Sequence, residues 1–313
     1  MSQNIPPSND LHTSVMLLES VDALIGGNTG NTPKVFVDAT VGLGGHSREI
    51  LARMKPQDRL IVIDRDPENL KLAIDRLNDP RVSGYATSFG ELSTIFKLAE
   101  ISHIDGILYD LGVSSVHYDE PERGFSVRAD GPLDMRFNRQ DSSLPPASEW
   151  IKRIDERELF QGLKNYADEP KAYFIARAIA LAREKQSINT TAALAKIIEE
   201  ASFDPKSVIR SFQAIRIMVN HEFRAIEESI PQAVKALGAG GRLVVITFHS
   251  IEDRLIKTLA HVHETPEIDE LTGRIITPAP LKKVIKKPLE PHPDEIILNP
   301  RSRSAKLRVY EKI

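Results

Sequence analysis

The sequence predicts an α/β protein with a doubly wound sheet that is interrupted by an all-helical insertion. Residues 35–47 form a short apolar run and a turn with three glycines, and an amphipathic segment follows with Ile50, Leu51 and Met54 on one face. Strand, glycine turn and helix make the opening unit of such a sheet. A second apolar run ends at Asp64, 20 positions after Gly44. The strand–helix alternation stops after residue 115 and returns with an apolar run at 242–247.

The first half of the chain accounts for four strands and their helices. Apolar, β-branched runs predict strands at residues 35–38, 60–64, 82–87 and 104–109. Apolar residues at helical spacing predict helices at 17–24, 68–77 and 92–99. Pro67 fits the first turn of the second of these helices.

The second half begins with a long loop and continues with helices. Residues 119–146 are rich in Asp, Arg, Gly and Pro, and a loop of this length is usually functional or disordered. Apolar periodicity then predicts helices near 149–154, 158–163, 171–185, 190–200, 207–220 and 222–237. The glycines at 238–241 predict a helix cap and turn, 242–247 a fifth strand, 251–259 a helix, and 304–311 a final edge strand.

These patterns divide the chain into two domains. Residues 1–115 and 206–313 are expected to form one α/β domain in two parts, because strand patterns occur on both sides of the interruption. Residues 116–205 are expected to form the helical insertion, with a role in substrate recognition.

The composition excludes several classes of protein. The chain of 313 residues has 41% hydrophobic residues and a net charge of −3, which is ordinary for a soluble globular protein. Residues 1–10 lack the basic and apolar regions of a signal peptide and are expected to be a disordered lead-in, so the cytoplasm is the expected compartment. No apolar run approaches a membrane span. The chain has no cysteine, which excludes disulfides, iron–sulfur clusters and thiolate nucleophiles.

The predicted strand ends carry side chains that suit a nucleoside. Ligands of an open α/β sheet bind at the carboxyl ends of the strands, and here those ends carry Asp38, Asp64, Ser88-Phe89, Asp110 and His249-Ser250. An acid at the end of the second strand can accept both ribose hydroxyls, and Phe89 offers a face for a base. NAD would use Asp64 equally well, so an NAD-dependent oxidoreductase is one alternative. However, Ser47 replaces the third glycine of the dinucleotide loop. The clustered acids instead favour a cationic nucleoside such as S-adenosylmethionine.

Several motifs together resemble the RsmH (MraW) family of bacterial methyltransferases. The matching stretches are residues 38–47, 63–67, 109–115, 122–126, 130–136, 211–216, 219–222 and 248–254. The resemblance implies a Rossmann-like methyltransferase sheet that uses S-adenosylmethionine to methylate N4 of a cytidine in the decoding region of 16S ribosomal RNA. It also implies that the cofactor is bound by Gly44, Gly45, His46, Asp64, Phe89, Asp110 and His117. The histidine at 117 departs from many members, which carry glutamine there.

The chemistry of the residues agrees with transfer to an amine. Methylation of pyrimidine C5 usually needs a cysteine, and radical S-adenosylmethionine chemistry needs a cysteine-bound cluster. Transfer to oxygen or nitrogen remains. The cytosine amine is a poor nucleophile, so an acceptor must localise its lone pair and aim it. Asp110 is the first candidate for this catalytic role. His249 is the second, although a satisfied histidine at a strand end explains it equally well.

The expected partner is 16S ribosomal RNA or the small ribosomal subunit, and no membrane. Two basic runs and the arginines of the long loop are candidates for phosphate contacts, although such runs are more often solvated surface. These residues are Lys282, Lys283, Lys286, Lys287, Arg301, Arg303, Lys306 and Arg308, with Arg123, Arg128, Arg136 and Arg139 in the loop. A non-catalytic RNA-binding module is the second alternative. The oligomeric state stays open, including a homodimer.

Overall fold

The computed structural model describes residues 14–26, 30 and 32–313. The predicted disordered lead-in at residues 1–10 lies outside the described residues. None of the described helices is long and apolar enough to cross a membrane.

The described residues form a seven-stranded sheet with the strand order β3-β2-β1-β4-β5-β9-β8. Strands β1 to β5 pair in parallel, whereas β9 and β8 are antiparallel to their neighbours. The chain winds outward from β1 to β3 and then returns to β4, so the carboxyl ends of β1 and β4 flank the switch point where such sheets bind ligands. The predicted fold class is confirmed. The strands are β1 Val35–Asp38, β2 Arg59–Asp64, β3 Val82–Ala86, β4 Ile104–Asp110, β5 Leu237–Thr247, β6 Glu267–Ile268, β7 Ile275–Thr277, β8 Leu281–Lys283 and β9 Lys306–Lys312.

Helices cover both faces of the sheet and fill the segment between β4 and β5. Short 3-10 helices lie at Phe89–Glu91, Pro121–Arg123 and Pro300–Ser304. The α-helices are α1 Leu17–Ile25, α2 Gly45–Arg53, α3 Pro67–Leu77, α4 Leu92–Leu98, α5 Ser115–Asp119, α6 Ala147–Arg153, α7 Glu156–Ala167, α8 Ala172–Lys185, α9 Thr191–Ser202, α10 Pro205–Asn220, α11 Glu222–Ala236, α12 Ser250–Glu264 and α13 Pro293–Leu298.

The core lies on both faces of the sheet because successive strand residues point to opposite sides. Ile61 and Ile63 pack with α4, α11 and α12 on one face. Leu60 and Val62 pack with α1, α2 and α3 on the other. A strand buried on both faces needs a continuous apolar run, which is why β2 has the clear sequence signal described above.

A third apolar cluster lies entirely within residues 125–219 and is formed by α6 to α10 and the loop before them. Helix α10 contributes Val208, Phe212, Ile215 and Val219 to it, whereas its Ile217 packs in the core of the sheet. The division of the chain at residue 205 stays a prediction. The packing of α10 argues that the helical part extends to the end of this helix.

Two predicted features of the second half are wrong. The glycines at 238–241 are not a helix cap and turn, because β5 begins already at Leu237 and follows α11 directly. The register between β4 and β5 shifts there: Ile104 pairs with Leu237, and Gly106 with Arg242. The glycines therefore form the irregular start of a strand. The last strand is also not an edge, because β8 pairs with β9 on its outer side.

The long loop after α5 is fixed by buried polar contacts. The Asn220 amide accepts from Phe137 N at 2.9 Å and donates to Met135 O at 2.7 Å. Arg123 is 1% exposed and donates to Phe137 O at 2.8 Å. Gly124 turns the chain with φ +75°, and a Cβ there would lie 2.4 Å from Pro132 O. The loop is therefore an ordered part of the structure.

We expect Gly124→Ala to destabilise the protein more than Gly273→Ala does. Both glycines have a positive φ, but nothing lies within 4 Å of a Cβ at Gly273. Gly273→Ala thus carries only the backbone cost of about 1–2 kcal/mol in the exposed β6–β7 hairpin. Gly124→Ala adds a clash with backbone atoms.

Thermal unfolding of the two variants beside the unmodified protein measures this difference. A shift of the melting temperature that is the same in both variants would contradict the packing of the long loop.

Candidate active site

Three carboxylates lie in a row at the carboxyl edge of the sheet, at the ends of the neighbouring strands β2, β1 and β4. These are Asp64, Asp38 and Asp110, and we call them the acid row. Asp38 is 1% exposed and accepts from Ser47 Oγ at 2.6 Å and from Thr40 N at 3.2 Å. Burial raises the pKa of Asp38 to about 6 in spite of these two donors.

Asp64 accepts from the backbone of the glycine turn. Gly42 N donates to its Oδ2 at 2.9 Å, and Asp66 N donates to its Oδ1 at 2.8 Å. Burial, with the nearby charges of Asp66 and Asp38, raises the pKa of Asp64 to about 7. Each carboxylate oxygen has a second lone pair. The geometry thus leaves capacity for the two hydroxyls of a ribose.

The glycine turn brings the start of α2 to the edge of the sheet. Gly44 precedes the helix with φ +84°, a conformation that favours glycine. Gly45 is the first residue of α2, and a Cβ there would lie 1.9 Å from Ser14 Oγ. The N-terminal segment therefore crosses this turn at close range.

His46 and Asp110 form a buried pair. His46 is 4% exposed, and its Nε2 lies 3.1 Å from Val15 O, which can only accept a hydrogen bond, so Nε2 carries the proton. Its Nδ1 lone pair then faces Asp110 Oδ2 at 3.5 Å. Burial lowers the pKa of His46 to about 4, and it raises the pKa of Asp110 well above its usual range, together with the charges of Asp38 and Glu252. Both shifts favour a neutral imidazole beside a protonated carboxyl group.

Phe89 lies beside the acid row, in the 3-10 helix after β3. Ser88 caps this turn by accepting from Gly90 N at 3.1 Å. The Phe89 ring contacts the Tyr109 ring edge to face, with centroids 5.6 Å apart. Tyr109 is buried, and its hydroxyl bonds Ser229 Oγ at 2.6 Å. Tyr109 thus packs against Phe89 and links β4 to α11 through its hydrogen bond.

His117 lies in α5 and contacts Asp66, which follows β2. Its Nε2 lies 2.9 Å from Asp66 Oδ2, and its ring packs against both Phe125 and Phe137, at centroid distances of 5.0 and 5.3 Å. Burial lowers the pKa of His117. Its Nδ1 is buried and has no hydrogen-bond partner among residues 14–26, 30 and 32–313. One polar atom therefore stays available to a ligand at this place.

His249 precedes α12 and caps it. Its Nδ1 accepts from Glu252 N at 3.2 Å, and its Nε2 faces Glu252 Oε1 at 3.1 Å. The Phe223 ring stacks on the imidazole with an interplanar angle of 10°. Nδ1 is thus occupied by the first turn of α12, whereas Nε2 is buried and makes no hydrogen bond within the described residues although it lies close to Glu252. The predicted catalytic role of His249 stays untested, and this geometry favours a positioning role.

The structure also shows functional candidates that the sequence did not single out. Thr40 Oγ1 accepts from Asp110 N at 2.7 Å and fixes the end of β4. Arg216 donates to Glu222 at 2.8 and 3.1 Å in a buried ion pair between α10 and α11. These residues lie within or beside stretches that carry the family resemblance. No local pattern reveals such contacts, because the partners come from different elements.

Many of the predicted phosphate contacts are instead paired with acids. Arg123 is buried against Asp66, Arg136 binds Asp134 at 2.8 Å, and Arg308 binds Asp253 at 2.7 Å. Lys282 and Lys283 reach Glu311 and Glu264 at 2.6 and 2.8 Å. Arg128, Lys286, Lys287 and Arg303 are exposed. The exposed residues therefore remain as candidates for RNA contacts, and Arg123 does not.

Comparison with known proteins decides the family. The model of the MraW methylase family matches residues 9–313. This chain belongs to the MraW methylase family. Ribosomal RNA small subunit methyltransferase H of Methylibium petroleiphilum is 41% identical over 100% of this chain and 98% of that protein. The protein of the same name from Dechloromonas aromatica is 39% identical over 96% of this chain and 98% of that protein. An rRNA methylase structure from Streptococcus thermophilus has 11% identity and a TM-score of 0.43, over 94% of this chain and 95% of that one.

Membership of the MraW methylase family confirms that the protein transfers a methyl group and that S-adenosylmethionine is the methyl donor. The alternative of an NAD-dependent oxidoreductase is therefore excluded. The residues present fit this cofactor. Asp110 Oδ1 is buried without a hydrogen-bond partner in the described part of the chain, Asp64 retains acceptor capacity, and Phe89 offers an aromatic face. The acid row also offers negative charge for the sulfonium and ammonium groups. The assignment of the individual cofactor residues stays a prediction.

We expect S-adenosylmethionine to bind more tightly as the pH rises from 6 to 7.5. The acids of the free site hold protons because their pKa values are raised, and a cation lowers these pKa values and displaces a proton. One released proton corresponds to roughly a tenfold gain in affinity per pH unit. S-adenosylhomocysteine lacks the sulfonium charge and should show a smaller dependence.

Titration calorimetry at three pH values, in buffers of different ionisation enthalpy, counts the released protons. Asp110→Asn should reduce the number of protons released when S-adenosylmethionine binds. Equal pH dependence for the two ligands would contradict the role of the acid row.

Proposed function

We propose that this protein uses S-adenosylmethionine to methylate N4 of a cytidine in the decoding region of small-subunit ribosomal RNA. The relatives named above are ribosomal RNA small subunit methyltransferases, which supports this class of substrate. The choice of the cytosine amine rests on the chemistry of the site.

Two observations support the cytosine amine as the methyl acceptor: the chain has no cysteine, and one oxygen of the Asp110 carboxyl group has no partner within the described residues. The absence of cysteine excludes attack on pyrimidine C6 by a thiolate. Asp110 Oδ1 is buried and has no hydrogen-bond partner within the described residues. An acceptor of this kind suits an amine, which must lose a proton when it gains a methyl group.

The role of Asp110 follows from its surroundings. Its backbone N–H is fixed by Thr40 Oγ1 at 2.7 Å, and its Oδ2 faces His46 at 3.5 Å, so the carboxyl group has one orientation. The carboxylate accepts an N4 hydrogen of cytosine through Oδ1, which localises the nitrogen lone pair. The raised pKa keeps this group protonated in the free site, so it accepts only after the cationic cofactor has displaced its proton. Asp110 then holds the proton that the methylated amine releases.

The other residues of the edge orient the reactants. When bound, S-adenosylmethionine supplies a methyl group that its sulfonium activates for transfer. Asp64 accepts from the ribose, Phe89 lies against the adenine, and the start of α2 with Gly44, Gly45 and His46 encloses the amino-acid end. His117 is neutral and donates through Nε2 to Asp66, so its Nδ1 accepts. Holding two reactants in line in this way supplies most of the catalysis in such transfers.

The helical part is proposed to recognise the RNA. The target base must leave its stack to reach the edge of the sheet. The long loop and α10 belong to the apolar cluster of the helices, and Ile217 of α10 also packs in the core of the sheet. RNA bound to this side can therefore place a base at the edge of the sheet.

We expect Asp110→Ala to lower kcat/KM by at least about two powers of ten, or roughly 2.7 kcal/mol. Asp110→Asn keeps an acceptor oxygen and should fall between Ala and the unmodified protein. The melting temperature of Asp110→Asn should stay the same or rise near pH 7, because an acid whose pKa is raised by folding lowers the stability as the pH rises above its ordinary pKa.

Single-turnover methylation of small subunits and thermal unfolding measure the two effects. Asp75→Asn, at an exposed position of α3, is the matched control. A lower melting temperature with near-normal turnover per folded molecule would assign Asp110 to the fold and not to catalysis.

A further inference from the structure

A cavity of about 340 Å³ lies between the long loop and α10, beside the candidate active site. Its floor is apolar and buried, with Phe125 at 3% exposure, Met135 at 1% and Phe212 at 5%. Pockets of this size that combine an apolar floor with a few polar groups are typical of ligand sites. The Tyr118 cavity, as we call it after the residue at its mouth, has no assigned occupant.

The polar wall of the Tyr118 cavity is the guanidinium group of Arg216. Its Nε and Nη2 donate to the two oxygens of Glu222 at 2.8 and 3.1 Å, and its Nη1 donates to the Tyr118 hydroxyl at 3.4 Å. Three of its five N–H groups thus have partners among the described residues. Arg216 is fixed by Glu222 and retains one N–H on each terminal nitrogen. A rigid donor pair of this kind recognises a neighbouring pair of acceptors.

The Tyr118 cavity is connected to the cofactor edge through shared side chains. Phe125 lines the cavity and packs on the His117 ring at 5.0 Å. His117 in turn binds Asp66, whose N–H donates to Asp64. The charge of Arg216 also acts on Glu252, and that of Glu252 on Asp110. The cavity and the acid row therefore belong to one electrostatic cluster.

The mouth of the Tyr118 cavity favours a nucleic acid over a neutral small molecule. The Tyr118 ring is 42% exposed there, and Arg128 and Arg301 add positive charge at the rim. Arg301 is half-exposed in an ion pair with Asp119 at 3.1 Å. Exposed guanidinium groups contact phosphates, and an exposed tyrosine ring stacks on a base.

The second cavity, of about 230 Å³ between α7 and α10, is less suited to this role. Its lining holds one arginine, Arg224, and one acid, Glu158, whereas the Tyr118 cavity holds three arginines and one acid, Asp119. An excess of positive charge attracts phosphate, so the Tyr118 cavity is the better candidate for RNA.

We propose that the Tyr118 cavity receives the pyrimidine ring of the target cytidine, with Arg216 donating to its O2 and N3 and Tyr118 contacting the ring. This inference rests on the proposed function and names the base subsite of the same reaction. Enzymes that act on an extruded base read its Watson–Crick edge and stack its faces. Cytosine presents two acceptors, O2 and N3, next to the amine. Uracil carries a hydrogen on N3, which would face the N–H groups of Arg216.

The test measures how Tyr118 and the target base depend on each other. Decoding-region RNA fragments with cytidine, uridine or an abasic site at the target are titrated into the full-length protein in the presence of S-adenosylhomocysteine. The unmodified protein should bind the cytidine RNA roughly tenfold more tightly than the abasic RNA, the scale of one base–aromatic stack. Tyr118→Ala should remove most of this preference, whereas Tyr118→Phe should retain it.

Tyr173→Ala is the matched control, because Tyr173 is also exposed but lies on α8 outside the Tyr118 cavity. Equal weakening of cytidine and abasic RNA in Tyr118→Ala would overturn the base subsite. Uridine RNA that binds as tightly as cytidine RNA would contradict recognition of the base by Arg216. This comparison uses the unmodified protein, so the buried ion pair of Arg216 with Glu222 stays intact.

Methylation of small subunits by the unmodified protein separates the two proposals. Transfer to the cytidine amine together with an unchanged preference in Tyr118→Ala would refute the subsite alone. Absence of transfer to that amine would refute the proposed function and the subsite with it.

Discussion

The structure depends on holding three carboxyl groups together at the edge of a parallel sheet. Asp64, Asp38 and Asp110 end neighbouring strands, so the topology that forms the core also forces the acids into one row. Charged carboxylates at such a place repel one another and lose hydration. The protein offsets this with backbone donors from the glycine turn, the Ser47 hydroxyl and a neutral His46. Positive charge is still lacking beside the acid row, and a cationic cofactor can supply it.

A second buried cluster joins this edge to the helical part. Asp66 caps α3 and accepts from His117 and Arg123, and these contacts hold its pKa below the usual range against the cost of burial. Because Arg123 also holds the long loop, the loop that borders the Tyr118 cavity is attached to Asp66, which donates its N–H to Asp64, the proposed ribose acceptor. Breaking one partner of such a buried pair leaves a charge uncompensated, which is strongly destabilising. The cofactor edge and the substrate side are thus structurally coupled.

The sequence predicted β1 to β5, β9 and the residues at the carboxyl ends of the parallel strands, because these depend on local apolar runs and on the polar or glycine residues that follow them. It did not predict the short strands β6, β7 and β8. It did not predict the contacts that distant elements supply. The glycines at the start of β5 have the composition of a turn, yet pairing with β4 overrides this preference. Arg123 looks like any other basic loop residue until Asp66 and Phe137 are placed around it. The role of Glu222 likewise depends on the folding back of a second helix.

The junction between α10 and α11 shows how few residues align the two sides of the site. His221 has φ +51°, which ends one helix and starts the next without a loop. Glu222 therefore reaches Arg216, six positions earlier, while Asn220 on the other side of the turn holds the long loop. Phe223 follows and stacks on His249 at the end of β5. One sharp turn thus fixes the wall of the Tyr118 cavity, the loop that borders it and the residue that follows β5. The geometry of the proposed base site and of the proposed cofactor site therefore depends on the same turn.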